Sequence, residues 1–146
     1  MQVWNSPSLL DRLLRPLATA FHRLLRRARP RPSGVGAHAL ALTPERKLIL
    51  VKLRYAPGWR VPGGGRHADE ELRDAVLREL REEIGMTSHG AVRPAGGELL
   101  VVEDVCYEPS KWSWEVEAVR EASLDELPAD LSKRTAAWIK SVRHKL

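Results

Sequence analysis

The chain is poor in three things, and each shortage removes a class of protein. Of 146 residues only one, Cys106, is a cysteine, so no internal disulfide can form and a reducing, cytoplasmic setting is the expectation. Its neighbours Val105 and Tyr107 read as strand, where a buried inert thiol is expected rather than a nucleophile. No apolar run approaches the roughly 18–20 residues that span a bilayer, and arginines interrupt the region where a signal peptide would be apolar. The chain is therefore read as neither spanning nor secreted. Acidic residues are nearly missing from the first 36 positions, which hold seven arginines against one aspartate, a balance of +6 within a total of +5. The other 110 residues then sum to −1. The basic charge belongs to an arm, and the near-neutral body argues against extensive nucleic-acid binding.

What is present fits one domain of ordinary size, since 43% of the residues are apolar and 29% charged, enough to bury a core. In the arm, Leu10, Leu13, Leu14, Leu17, Phe21, Leu24 and Leu25 recur at three- and four-residue steps with arginines between them. This predicts a basic amphipathic helix, kinked at Pro16. Residues 9–29 would serve either as a peripheral attachment to an anionic membrane surface or as a helix packed on its own domain or a partner, and packing is the favoured reading. An arginine-rich targeting presequence has the same composition. Arg29 to Gly34, rich in proline, reads as a linker. The expected organisation is an arm and linker over 1–33 and a domain over 34–146.

Within the domain, Val35 to Leu42 alternates as a strand does, Thr43 to Arg46 turns, and Lys47 to Leu53 is apolar enough for a buried strand; together they predict a hairpin. His38 reads as a satisfied strand histidine. Further on, 87–98 reads as loop with at most one short strand, and Leu99–Tyr107 and Trp112–Val119 as strands. Trp112 and Trp114 would share a strand face, in core or interface more readily than on a nucleobase. A last helix is expected near Leu131–Val142, with Leu131, Thr135, Trp138, Ile139 and Val142 as its packing face.

The most informative stretch is Gly64 to Met86. A glycine-rich turn, Pro62 to Gly65, feeds a helix expected to start near the cap residue Asp69 and to stop at Gly85. At 100° per residue, Glu79, Glu82 and Glu83 occupy an arc of about 100°, beside an apolar stripe of Val76, Leu77, Leu80 and Ile84. Two such charges 5–6 Å apart repel by about 3 kcal/mol at an effective dielectric near 20. A crevice walled this way calls for a cation, and hard divalent ions take oxygen ligands. A solvated Glu- and Arg-rich helix face is the bland alternative.

The register decides between them. From Gly64 the chain reads glycine, five residues, Glu70, seven residues, Arg78-Glu79-Leu80, one residue, Glu82-Glu83, one residue, Gly85 and Met86. This string resembles the Nudix hydrolase signature, G-x5-E-x7-R-E-U-x-E-E-x-G-U with U aliphatic, and only Met86 stands slightly off its usual residue type. Trp59 to Gly64 also resembles the family's entry into the loop.

The resemblance implies an α/β fold, a mixed sheet between helices in an α/β/α sandwich. It also implies metal-dependent hydrolysis of the pyrophosphate of a nucleoside diphosphate linked to another moiety. Carried over by position, Glu79, Glu82 and Glu83 would bind Mg2+, or Mn2+, with a backbone carbonyl of the Gly63–Gly64 turn as a further ligand. Glu79 and Glu82 would be catalytic with Arg78, while Glu70 and Arg78 would hold loop and helix together. Gly64 and Gly85 would be structural. A further base is expected downstream, from Glu103, Asp104, Glu108 or Glu115, although the region after Met86 reads about one strand short. Two other readings stand beside this one: a Nudix-fold binding or regulatory module with weak catalysis, and action on a triphosphate end of RNA, supported only by the arm.

Overall fold

The computed structural model describes residues 35–109 and 113–146. The basic arm and Trp112 lie outside the described residues, and so do the expectations placed on them. Among the described residues nine strands and two α-helices follow in the order β1 (Gly36–Ala41), β2 (Leu48–Leu53), β3 (Ala56–Arg60), β4 (Gly63–Gly65), α1 (Leu72–Ile84), β5 (Met86–Ser88), β6 (Val92–Gly96), β7 (Leu99–Val102), β8 (Cys106–Tyr107), β9 (Val116–Ala122) and α2 (Lys133–Val142). A short 3-10 turn, Arg143–Lys145, follows α2. Among these residues no helix is long and apolar enough to cross a membrane.

The strands form a mixed four-stranded sheet, β4-β1-β7-β6, a three-stranded antiparallel sheet, β3-β2-β9, and the small pair β5-β8. Side chains on a strand alternate faces, and here both faces are covered. Ala37, Ala39 and Ala41 of β1, Ile49 and Val51 of β2, and Leu100 and Val102 of β7 pack with Val76, Leu80 and Ile84 of α1. The alternate residues, Leu40, Leu48, Leu50, Leu99 and Val101, pack with Ile139 and Val142 of α2. This is why β2 reads as a continuous apolar run: a strand covered on both sides has no polar face. The α/β fold follows, with sheet between helices.

Several local expectations need correction. β1 and β2 do not form a hairpin. They share one bridge, Leu42 to Leu48, and then part, β1 pairing parallel with β7 and antiparallel with β4, β2 antiparallel with β3 and β9. The turn at Thr43–Arg46 does form, with the Arg46 N–H on the Thr43 carbonyl, but it passes the chain between sheets. The segment 87–98, read as loop with at most one short strand, carries that strand as β6 and also the end of β5. Leu99–Tyr107 is split by Asp104, whose φ of 51° breaks the strand. The stretch after Met86 thus holds five short strands. Trp114 precedes β9 and is exposed, and Cys106 is exposed rather than buried.

Candidate active site

β4 is three glycines laid along β1, with Gly65, Gly64 and Gly63 opposite Gly36, Ala37 and His38. Gly63 has φ of 149°, and a Cβ there would come within 2.5 Å of His38 Nδ1. At Gly64 a Cβ would stand 2.7 Å from Glu79 Oε1. The bare backbone is therefore a requirement of close approach, since the carboxylate of Glu79 lies directly on it.

α1 brings the carboxylates there. Glu71 takes the N-cap position with extended backbone and no side-chain cap, so the helix begins two to three residues later than Asp69 suggests, and Glu70 and Glu71 precede it. Glu70 instead closes the approach, accepting the His67 N–H at 3.1 Å and the Arg78 Nε–H at 2.8 Å. At the other end Gly85, φ 70°, stops the helix in the left-handed conformation.

Arg78 joins loop to helix. Its guanidinium donates to Glu70, to Glu79 at 2.8 Å, to Glu82 at 3.4 Å and to the Gly65 carbonyl at 3.0 Å. The hydrogen bond from Arg78 is the main reason the Glu70 carboxyl is pulled down to about 2.

Glu79 and Glu83 are buried, 6% and 7% exposed, whereas the Glu82 side chain is half exposed. Glu83 accepts the Gly63 N–H at 2.8 Å. Burial pushes the Glu83 carboxyl well above the usual carboxylate range, against the pull of that one bond, and Glu79, Glu115 and Glu82 push it the same way. Burial likewise raises Glu79, opposed by Arg78 and reinforced by Glu82 and Glu115.

The donors are carboxylate oxygens beside a glycine backbone, the ligand chemistry Mg2+ and Mn2+ take, and Arg78 lowers Glu79 while Glu83 has the Gly63 N–H to favour its charged form. Among the described residues no three acidic, His or Cys side chains already converge as a ligand cluster, because Glu79 and Glu82 turn toward Arg78 and Glu83 toward Gly63. The donors fit such an ion in chemistry; in position Glu79 and Glu82 point to Arg78 and Glu83 points to the Gly63 N–H.

Of the acids proposed downstream, Glu115 is the one whose charge acts on both Glu79 and Glu83. Glu103 is taken by Arg46 and Arg93, at 2.9 and 2.8 Å. Asp104 sits in its tight turn against Gly90. Glu108 is exposed, and its backbone N–H binds the Gly85 carbonyl at 3.0 Å, at the C-terminal end of α1. None of these three is among the charges acting on the buried pair.

The same glycines also line a cavity of about 590 Å³, whose other walls include His38, Arg60, Glu98, Arg134 and Trp138. Sequence reading missed it, apart from His38 and Trp138, which it placed in structural roles. His38 is not a satisfied histidine: its Nδ1 has no hydrogen-bond partner, and burial, with Arg134 and Arg60 nearby, lowers it to about 4. Its ring lies 4.7 Å from that of Trp138, and the Arg134 guanidinium covers the Trp138 ring at 4.5 Å. α2 is fastened to the strand before the glycines by the Val61 N–H on Thr135 Oγ1, 3.2 Å.

A sheet between two helices, with buried glutamates folded onto a glycine strand, defines a domain built to hold charge against bare backbone. The NUDIX domain family model matches residues 32–142, and the chain belongs to that family. Among its relatives, Nudix hydrolase 27, chloroplastic, of Arabidopsis thaliana is 44% identical over 48 residues, 32% of this chain and 21% of that protein. The match thus spans about a fifth of that relative's length. The MutT NUDIX hydrolase structure from Burkholderia pseudomallei has a TM-score of 0.59 at 25% identity, over 74% of this chain and 96% of that one. A bifunctional NMN adenylyltransferase/ADP ribose pyrophosphatase from Francisella tularensis, solved with AMP and a Mn ion, shares the fold with a TM-score of 0.54 at 16% identity, over 94% of this chain and 50% of that one.

Proposed function

We propose that the protein is a divalent-metal-dependent pyrophosphohydrolase acting on a nucleoside diphosphate linked to another moiety. The observation that carries this reading is the pair of buried glutamates, Glu79 and Glu83, pressed on Gly64 and Gly63. A bifunctional protein that shares the fold was solved with AMP and a Mn ion, ligands of the kind this reading calls for. A divalent ion, when bound, neutralises pyrophosphate charge and makes a water more acidic.

The chain's own residues do the rest. Glu79, Glu82 and Glu83 would hold the ion, and a carbonyl of the Gly63–Gly64 turn would be a further ligand. Arg78, bonded to Glu70 and the Gly65 carbonyl, keeps helix and glycine strand in register. A carboxylate accepts the proton of the attacking water. Glu79 is assigned that role on the helix, and Glu115 is the downstream acid close enough in charge to share it. Attack on one phosphorus releases a monophosphate.

The competing reading is a nucleotide-binding module with weak catalysis. Release of phosphate or monophosphate from nucleotides, nucleotide sugars and ADP-ribose, with Mg2+ and with EDTA, separates the two. Mg2+-dependent turnover abolished by Glu82→Gln is expected; tight binding without turnover would establish the module instead.

A further inference from the structure

The polar walls of the cavity along the glycine strand offer donors and acceptors alike, His38 Nδ1 and the hydroxyls of Ser132 and Thr135 among them. Their charge balance therefore selects no ligand, but the shape of one group does. Arg134 and Trp138 stand four residues apart on α2, a spacing that makes them neighbours on one helix face. The Arg134 guanidinium lies over the Trp138 ring, 4.5 Å from its centroid, and the His38 ring abuts the same indole at 4.7 Å. The edge of the guanidinium is fixed too, because Arg134 pairs with Glu98. Glu98 is anchored in turn: its other oxygen accepts the Gly36 N–H at 2.8 Å and its backbone carbonyl accepts the His38 N–H at 2.9 Å.

Arg134 stands in the first turn of α2, where the helix dipole disfavours a cation, so helix stability does not account for an arginine there. Its charge is met by Glu98 and one of its faces by Trp138, yet the side chain is 61% exposed at the cavity wall. That exposure belongs to the other face. An anion gripped by both prongs needs the guanidinium edge, which Glu98 already takes. A planar π-system needs only the face. The cavity also includes Gly63, Gly64 and Gly65, and Glu83 and Glu79 rest on the first two of them. A nucleotide whose phosphates lie at the glutamates can thus set its base in the cavity.

We propose that Arg134, held flat by Trp138 and Glu98, is the surface on which the nucleobase of the substrate stacks, and so a specificity-determining residue for base-bearing substrates. Selection then runs through the plane of the guanidinium and not through its charge. This rests on the pyrophosphohydrolase reading for where the phosphates lie; capture of the base does not require turnover.

AMP and ribose 5-phosphate differ by the base alone. In calorimetric titrations of the full chain, in EDTA and again with Mg2+, AMP is expected to bind at least about tenfold tighter, the scale of one stacked base. Arg134→Lys keeps the charge that faces Glu98 and loses the plane. It is expected to bring the two ligands within about twofold of each other, by weakening AMP and leaving ribose 5-phosphate unchanged, with thermal melts confirming that the variant is folded. An AMP advantage that survives Arg134→Lys overturns the proposal, since charge or fold would then be what Arg134 supplies. Equal binding of the two ligands by the unaltered protein overturns it, as does binding of neither in both buffers. Turnover is read separately. Mg2+-dependent release of monophosphate from ADP-ribose with no AMP advantage removes the stack and leaves the hydrolase reading intact. An AMP advantage that Arg134→Lys removes, without turnover of any nucleotide, sustains the stack as the hydrolase reading falls.

Discussion

Glu83 is the residue under most electrostatic stress. Its carboxylate is buried, lies in the field of Glu79, Glu115 and Glu82, and accepts the Gly63 N–H. Glu83→Gln keeps the shape and leaves an amide oxygen for the Gly63 N–H, while removing the charge. Two opposite outcomes are therefore expected of one substitution. Turnover falls on the order of 10²–10³-fold, the scale of losing one preorganised electrostatic contact, and the metal-free protein melts at a higher temperature near neutral pH. A variant that loses activity and stability together would mean that Glu83 serves the fold. Gly64 is tested by the reverse operation, adding atoms. The Cβ of Gly64→Ala would stand 2.7 Å from Glu79 Oε1, so the Glu79 side chain must move off the glycine strand. Turnover is expected to drop at least about tenfold, since positioning errors near 1 Å already cost as much as 10²-fold; wild-type kcat with Mg2+ would count against close packing of Glu79 on Gly64.

At the scale of elements, α1 owes its position to one stripe. Val76, Leu80 and Ile84 are essentially fully buried, and Leu80 touches the face where β1 offers only alanines. Leu80→Ala should cost about 2–5 kcal/mol of unfolding free energy in urea, with turnover lost in proportion to the unfolded fraction. This stripe was legible because a helical period is local: four residues at three- and four-step spacing suffice. The carboxylate edge beside it was legible for the same reason. Strand partnership was not. β1 looked like half of a hairpin because β2 follows after a short turn, but its long parallel partner is β7, some sixty residues on, and a parallel pairing leaves no turn signal to read. The same limit hid the cavity. Arg60, Glu98 and Arg134 lie on three separate segments, and no spacing rule connects them. Glu115 was one acid among four until its charge was found to act on Glu79 and Glu83, a relation of space rather than sequence.

For the molecule as a whole, these shifted carboxyls make stability depend on pH in a way that a divalent ion should reverse. Glu79 and Glu83 titrate above their ordinary value of 4.5 in the folded protein. Above that value the folded state holds more protons than the unfolded one, so metal-free stability falls as pH rises through the raised folded values. Glu70 acts oppositely. Its folded value is about 2, so its contribution is complete above 4.5 and is lost as pH falls toward 2. The metal-free protein is thus expected to be most stable in mildly acid solution. A divalent ion competes with the protons on Glu79 and Glu83, binds the folded state alone and stabilises by mass action. Melting temperatures between about pH 5 and 8 should therefore decline in EDTA and flatten or rise in Mg2+, so that the gap between the curves widens with pH. In Glu83→Gln both the decline and the gap should shrink. Parallel curves in EDTA and Mg2+ would mean that the buried acids are not where the ion binds.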